Sequence, residues 1–416
     1  TNMTISLKHP EIEMLIKILK RLSEGDQGEY QSISPQTWTT VGELAKQNAV
    51  SQLFYQRIND MRIDIPDDLQ SQLKNAFIWN VARNLLIARE ISELMRCFQQ
   101  KNIPVMLLKG IYLSEFVYAN IGLRTMTDID LLIPKEKVEK AIEVAQSNGF
   151  LPDRPYLPDA DGILHYHAPP MAKEGLAIEL HWSLTRSSIL PGIDTTGLWN
   201  RAQTLQWNGV EAHALGLQDL VLHLAVHAAY GHHFFHQLRS LYDLDLVVRK
   251  FTNGLHWEEV ISICREWRAE KGTYLAFRLA NELLDTNIPE NVLQQLRPTD
   301  WTEQAMDWAK VQLFQENPVL SESYIRLMSS RNLGDKIKAL SKAFLPSRQV
   351  LAMEYGMSAV TWKIVLHYPH YILTRIQKYW GYAWKLLHGD ATQQVETTSD
   401  QALRDFLGIG RNRIGD

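Results

Sequence analysis

Asp128 and Asp130 stand one residue apart in Thr127-Asp128-Ile129-Asp130-Leu131-Leu132-Ile133. A strand's two-residue period puts Asp128, Asp130 and Leu132 on one face and Ile129, Leu131 and Ile133 on the other. Carboxylates at that spacing repel, and a divalent cation is the simplest way to neutralise them. In Leu176-Ala177-Ile178-Glu179-Leu180-His181-Trp182 the same alternation aims Glu179 and His181 one way and Ile178 and Leu180 the other. If the two strands are neighbours, Glu179 becomes a third metal carboxylate. Three such groups can hold two magnesium ions roughly 4 Å apart, one activating an attacking oxygen and one holding a triphosphate as pyrophosphate leaves. The competing reading is a solvent-facing aspartate pair at a strand edge.

Other residues extend this chemistry. Lys109-Gly110 follows the apolar run Val105 to Leu108 and precedes a helix-like Ile111 to Val117, so it offers backbone amides and a cation to a triphosphate. An ordinary tight turn with a surface lysine is the alternative. Arg124 could reach a phosphate or serve as a surface ion-pair partner. His165, His167 and His181 could approach the acids, His181 foremost as a base or supporting partner; an ordinary strand histidine is the alternative. His223 and His227, at i and i+4 of a helical run, suit an acceptor pocket better than a zinc-protease site, because the run reads His-Leu-Ala-Val-His without the glutamate. Asp243-Leu244-Asp245 repeats the Asp-x-Asp pattern, but its neighbours Leu238, Leu241, Tyr242 and Val248 keep helical spacing. Those acids are expected to cap, pair or face solvent.

The elements that would position these groups can be read in order. Helical periodicity marks residues 1–100, and Pro35, Gly42 and Pro66 predict several short helices rather than one long rod. Strand, turn and helix follow from Val105, then a strand Ile129 to Ile133 and a helix Lys135 to Asn148 closed by Gly149. Ile163 to Ala168 and Leu176 to Leu184 predict a hairpin through Pro169-Pro170 and Gly175. Helical periodicity returns near Leu217 and persists to about His388. The expected organisation is a helical N-terminal region at 1–100, an α/β core at 101–210, a helical region completing the acceptor side at 211–330, and a C-terminal region at 331–416.

Composition narrows the class. A chain of 416 residues can bury a sizeable core, and its net charge of -4 gives no global reason for a long nucleic-acid partner. Two cysteines, Cys97 and Cys264, exclude a disulfide framework and fit a reduced, cytoplasmic setting. No transmembrane span or signal-peptide order is visible. Between Arg331 and Gly389 the only acids are Asp335 and Glu354, among many Lys, Arg, Trp and Tyr residues. That stretch admits a packed subdomain with a basic face, peripheral membrane contact or an RNA-like acceptor. Absence of a Gly-x-Ser-x-Gly elbow, a Walker loop and Gly-x-Gly-x-x-Gly removes support for hydrolase and dehydrogenase readings.

Taken together, Leu107-Leu108-Lys109-Gly110, Leu123 to Ile133, Gly149-Phe150 and Glu179-Leu180-His181-Trp182 resemble the nucleotidyltransferase superfamily of the DNA polymerase β type, in its bacterial branch of uncharacterised nucleotidyltransferases. The likeness extends more loosely to His223, His227 and Asp243. It implies an α+β fold: a mixed β-sheet core flanked by helices within a predominantly helical chain. It also implies a magnesium site, with manganese as the alternative ion, and transfer of a nucleoside monophosphate from an NTP such as ATP to an acceptor hydroxyl or phosphate. On that resemblance Asp128, Asp130 and Glu179 hold metal and Lys109 with Gly110 faces the nucleotide; position in the sequence adds Arg124 on the nucleotide side and His181 as a catalytic residue. The superfamily usually carries Gly-Ser where this chain has Lys109-Gly110. γ-Phosphoryl transfer on the same metal site and a non-catalytic nucleotide-, peptide- or RNA-binding module are the alternatives. The acidic net charge favours a small-molecule or peptide acceptor over RNA.

Overall fold

The computed structural model describes residues 10–20, 30, 32–118, 120–158, 165–315, 351, 362–374 and 391–409. Its N-terminal helices are α1 (Pro10–Leu19), α2 (Pro35–Gln47), α3 (Ser51–Asp60) and α4 (Asp67–Gln100). Ser34 caps α2 by accepting the Thr37 N–H at 3.1 Å, with Pro35 in the first turn. Gly42 does not break α2. It sits inside the helix because a Cβ there would lie 2.7 Å from Leu69 Cδ1. Helix α4 corrects the expectation of short helices only: after Pro66, with Asp67 and Asp68 in the first turn, no Pro or Gly interrupts its 34 residues.

Strand β1 (Met106–Leu107) leads into the one-turn helix α5 (Lys109–Tyr112) and a π turn at Leu113–Val117. Then come β2 (Ile129–Leu132), α6 (Val138–Ser147), β3 (Leu151–Pro152), β4 (Met171–Lys173), β5 (Leu176–His181), α7 (Thr195–Asn200), β6 (Gln203–Trp207) and β7 (Val210–Ala214). They build one mixed sheet in the order β3-β4-β5-β2-β1-β7-β6. Strands β2 and β5 run parallel, as do β1 and β7, while the other neighbours are antiparallel. The β2 stretch is buried throughout, as a strand with partners on both sides requires.

Two hairpins use left-handed two-residue turns. Glu174-Gly175, at φ +49° and +81°, joins β4 to β5, and Asn208-Gly209, at φ +49° and +75°, joins β6 to β7. The expected hairpin forms: Ala168 N–H donates to Leu180 O at 2.8 Å and Trp182 N–H to Tyr166 O at 3.0 Å, and Met171–Lys173 continues the pairing as β4. Pro169-Pro170 cannot supply ladder N–H groups and interrupt this pairing, so β4 begins only after them. Residues 165–168 still run beside β5 through an isolated His167–His181 bridge, whereas Ile163 and Leu164 lie outside the described residues. The β6–β7 pair was not anticipated, although Asn-Gly between alternating residues is a strong hairpin signal.

The helical side comprises α8 (Leu217–Val226), a π turn at His227–Gly231, α9 (Leu238–Lys250), α10 (Trp257–Glu266), α11 (Glu270–Leu284), α12 (Glu290–Leu296) and α13 (Gln304–Phe314). Asp219 to Val226 are buried without exception, so α8 is the innermost helix, packed by α9, α10 and α11. Cys97 in α4 and Cys264 in α10 are free thiols, and burial pushes Cys264 up to about 12.

All of these elements belong to one compact unit, which takes the chain to Asp153 and from Leu157 to Phe314. A second unit comprises Arg154–Tyr156 and Gln315 onward. In it, α14 (Ala391–Leu407) buries Leu403, Phe406 and Leu407. Among the described residues no helix is long and apolar enough to cross a membrane. Apart from residues 351 and 362–374, the basic aromatic stretch at 331–389 lies outside the described residues.

Candidate active site

Parallel pairing of β2 with β5 sets Asp130 opposite Glu179 and Leu132 opposite His181. Residues in register on adjacent strands share a face, so the two carboxylates come together. His181 Nε2 lies 2.9 Å from Asp130 Oδ1 and 3.3 Å from Glu179 Oε2. One ligand atom from each of Asp130, Glu179 and His181 falls within 4.8 Å of the others, a group able to hold a metal ion. Asp128 stands outside it. The chain enters β2 only at Ile129, leaving Asp128 in an exposed bend, where it accepts the Thr127 hydroxyl at 2.9 Å. Both aspartates nonetheless line one pocket.

Lys109 reaches the same acids from the β1–α5 turn. Its Nζ lies 2.9 Å from Asp130 Oδ2 and 3.3 Å from His227 Nδ1, and its backbone adopts φ +28°, a left-handed value uncommon for a lysine. Gly110 beside it is tightly overlaid: a Cβ would lie 3.3 Å from Met126 and 3.4 Å from Arg124 Nη1. Arg124 lines the pocket and is an ion-pair partner, buried rather than on the surface. Its Nε and Nη2 donate to both Asp243 oxygens at 2.8–3.2 Å, and the Tyr118 hydroxyl donates to Asp243 at 2.7 Å. Asp245 pairs with Arg249 at 2.7 Å, so both acids of the second Asp-x-Asp pair on a helix, as their spacing implied.

The histidines divide into two groups. His167 Nδ1 donates to its neighbour's carbonyl, Ala168 O, at 2.7 Å, leaving Nε2 4.0 Å from Glu179. His165 is one ring further out, its centroid 6.2 Å from that of His167. On the helical side His223 and His227 are 6.1 Å apart, and His227 stacks edge-on with His232 at 4.5 Å. Burial, reinforced by the Lys109 charge, holds His223 and His227 well below the usual histidine range and brings His232 down to about 4. These three are neutral near pH 7. His227 and His232 line the pocket, while His223 is buried behind it with neither ring nitrogen hydrogen-bonded.

The acids behave oppositely to His181. Burial alone would raise Asp130, but the Lys109 ammonium and the His181 hydrogen bond outweigh it and hold the carboxyl well below 3.8. Glu179 is likewise lowered, its burial outweighed by His181 and His167. His181 is raised above 6.5 because its hydrogen bonds to Asp130 and Glu179 outweigh burial. A raised group contributes stability that is fully present below its unfolded pKa and lost as pH rises through the folded one. A depressed carboxyl contributes stability that is present above its unfolded pKa and lost as pH falls through the folded one. Measured without added metal, the stability advantage of wild type over His181→Asn is therefore expected to peak between 3.8 and 6.5 and to shrink at higher pH. Thermal unfolding of both proteins from below pH 3.8 to well above pH 6.5 checks this, and an advantage that grows on the alkaline side contradicts it.

Helix α4 fixes the loop that delivers these acids. Asn84 Nδ2 donates to the Ile121 and Arg124 carbonyls at 2.6 and 2.9 Å, Asn80 Nδ2 to Gly122 and Arg124 at 2.8 and 3.2 Å, and Arg83 to Met126 and Thr127. Sequence reasoning missed this clamp. Its signal was two asparagines at i and i+4, poor helix formers in a helix otherwise free of breakers. Asn84→Ala is expected to cost about 1–3 kcal/mol by stranding buried carbonyls. Chemical denaturation measures that loss, and amide exchange should show faster opening at residues 121–127.

A mixed sheet with acids on adjacent parallel strands, a strand–turn–helix unit beside them and helices on its flanks is the arrangement that the sequence resemblance implied. The chain belongs to the family described as uncharacterised nucleotidyltransferase, which matches residues 34–285, more than half of its length. It is also similar to the solution structure of the antibiotic-resistance factor ANT(2'')-Ia, at 12% identity and a TM-score of 0.33, over 48% of this chain and 98% of that one. That likeness bears on neither activity nor substrate. None of the curated proteins matches.

Proposed function

We propose that the protein moves a nucleoside monophosphate from an NTP to an acceptor hydroxyl or phosphate in a divalent-metal-dependent reaction. The observation that carries this reading is the in-register pair Asp130 and Glu179 on β2 and β5, with Lys109 reaching Asp130 from a turn that lines the same pocket as Asp130. Two carboxylates and an imidazole are a donor set that fits a divalent cation, and the Lys109 ammonium already neutralises one of them. Asp130, Glu179 and His181 would hold the metal, with Asp128 facing the pocket that Asp130 lines. Magnesium is the expected ion, and the imidazole makes manganese the natural alternative. When bound, the metal supplies charge neutralisation for the polyphosphate and the departing pyrophosphate.

The chain's own groups have separable tasks. Lys109 holds Asp130 ionised and brings a cation to the polyphosphate side, while neutral His227 accepts part of its hydrogen bonding. His181 keeps its proton between the acids and must give it up to become a ligand. In the reaction an acceptor oxygen forms a bond to the α-phosphorus, the bond to pyrophosphate breaks, and the acceptor proton passes to a nearby base or solvent. His165, His167 and His223 line or back the acceptor side in this account. A small molecule or peptide is the favoured acceptor, ATP the first donor to try, and the cytoplasm the expected setting.

Incubation with α-labelled NTPs, magnesium or manganese, and pools of small-molecule and peptide acceptors tests the proposal. Transfer of label with pyrophosphate release supports it. Release of nucleoside diphosphate instead marks γ-phosphoryl transfer, and metal-dependent NTP binding without product marks a binding module; either outcome overturns it.

A further inference from the structure

The pocket that holds Lys109 and Asp130 has a second cationic wall, supplied by the start of helix α9. Gln237, Arg239 and Ser240 line it there, opposite in sequence and element from the β1–α5 turn. Three cations face this pocket and two have fixed carboxylate partners: Lys109 pairs with Asp130 at 2.9 Å, and Arg124 with Asp243 at 2.8 Å. Arg239 differs. Its Nη1 donates to the Thr125 carbonyl at 2.9 Å, its Nε is shut off from solvent with no acceptor, and among the described residues no carboxylate lies within ion-pair distance of it.

Such an arrangement is costly for the protein alone. A guanidinium is charged at every physiological pH, and a buried donor left without an acceptor forfeits its hydration. Burial and the neighbouring Arg124 disfavour the Arg239 charge, and the Asp243 and Asp128 carboxylates offset this only in part. The first turn of α9, a helix of 13 residues, adds the positive end of its dipole to the same wall. An oxyanion in the pocket would set a negative charge against the guanidinium and offset the repulsion between the two arginines.

We propose that Arg239 and the N-terminal turn of α9 form an oxyanion subsite that binds a phosphate or carboxylate group of a substrate. The proposal rests on the nucleotidyl-transfer reading for the identity of those substrates, and its anion chemistry is that of either the donor polyphosphate or an anionic acceptor. Under it, Arg239 is a substrate-binding residue that the sequence motifs did not mark, because it lies more than a hundred residues beyond the acidic run.

Calorimetric binding of inorganic pyrophosphate to the full-length protein, without metal and without turnover, tests the subsite. Wild type should bind it, Arg239→Gln should bind about tenfold more weakly or not at all, and Arg239→Lys should fall between them. Circular dichroism and thermal midpoints establish that the variants are folded. No binding to wild type, or equal binding to a folded Arg239→Gln, would overturn the proposal. Two further titrations assign the source. An Arg239→Gln protein that also loses affinity for ATP places the donor polyphosphate at Arg239. Unchanged ATP affinity, with Arg239-dependent pyrophosphate binding persisting beside a non-hydrolysable ATP analogue, places an anionic acceptor there. Absence of turnover with every NTP would remove the nucleotidyl-transfer reading and leave the pyrophosphate result standing.

Discussion

Asp130→Asn is expected to lower turnover by about a thousandfold or more while the protein remains folded. The substitution keeps the volume of a side chain that is 7% exposed and removes only its charge. Asp130 joins three groups of the site, accepting from His181 at 2.9 Å, pairing with Lys109 at 2.9 Å and facing Glu179 across the β2–β5 register. An amide oxygen still accepts from one of those donors, but it no longer supplies the negative charge that a divalent cation requires. Asp130→Ala is a harsher change. It leaves the Lys109 cation, 12% exposed, without its partner, and breaking such a buried pair costs about 3–5 kcal/mol. Comparing the two variants by steady-state rate and by denaturation separates chemistry from folding. A folded Asp130→Asn protein with wild-type turnover contradicts the assignment.

The second large effect lies behind the site. Arg124→Ala is expected to destabilise the protein by about 3–5 kcal/mol, because it leaves the Asp243 carboxylate, 1% exposed, with only the Tyr118 hydroxyl. Asp243→Ala should be at least as damaging, since it strands the buried Arg124 charge near a second cation, Arg239. The pair also ties α9 to the loop before β2, whose Arg124 carbonyl is held by Asn80 and Asn84. Weakened NTP affinity should therefore accompany the lost stability. Replacing both partners with apolar residues, as in Arg124→Met with Asp243→Leu, should recover most of the stability, because no unpaired charge remains. Urea unfolding of the two single variants and the double variant closes the cycle, and a single-variant loss below about 1 kcal/mol contradicts the account.

Local pattern made part of this site legible. Alternation along Ile129 to Leu132 and Leu176 to His181 identified both acid-bearing strands, and Lys109-Gly110 was visible as a strand-to-helix turn. Asp243 and Asp245 were readable as helical acids because Leu238, Leu241 and Val248 keep a helical period. What escaped was long-range or one residue wide. Strand alternation extrapolated back to Asp128 fails because the strand begins at Ile129, a boundary set by the loop that α4 holds and not by the acids themselves. The partner of Arg124 lies 119 residues away, and the acceptor missing from Arg239 can be seen only once α9 is packed against the pocket. The strand β4 was hidden by its brevity, three residues after Pro169-Pro170, and the β6–β7 hairpin was overlooked despite its Asn208-Gly209 turn.

Isothermal titration of each nucleoside triphosphate into wild type and Asp130→Asn, with and without magnesium or manganese, tests the central claim most directly. The account predicts NTP binding that strengthens with metal in the wild type and loses that strengthening in the variant. Metal-independent binding that is equal in both proteins would contradict it.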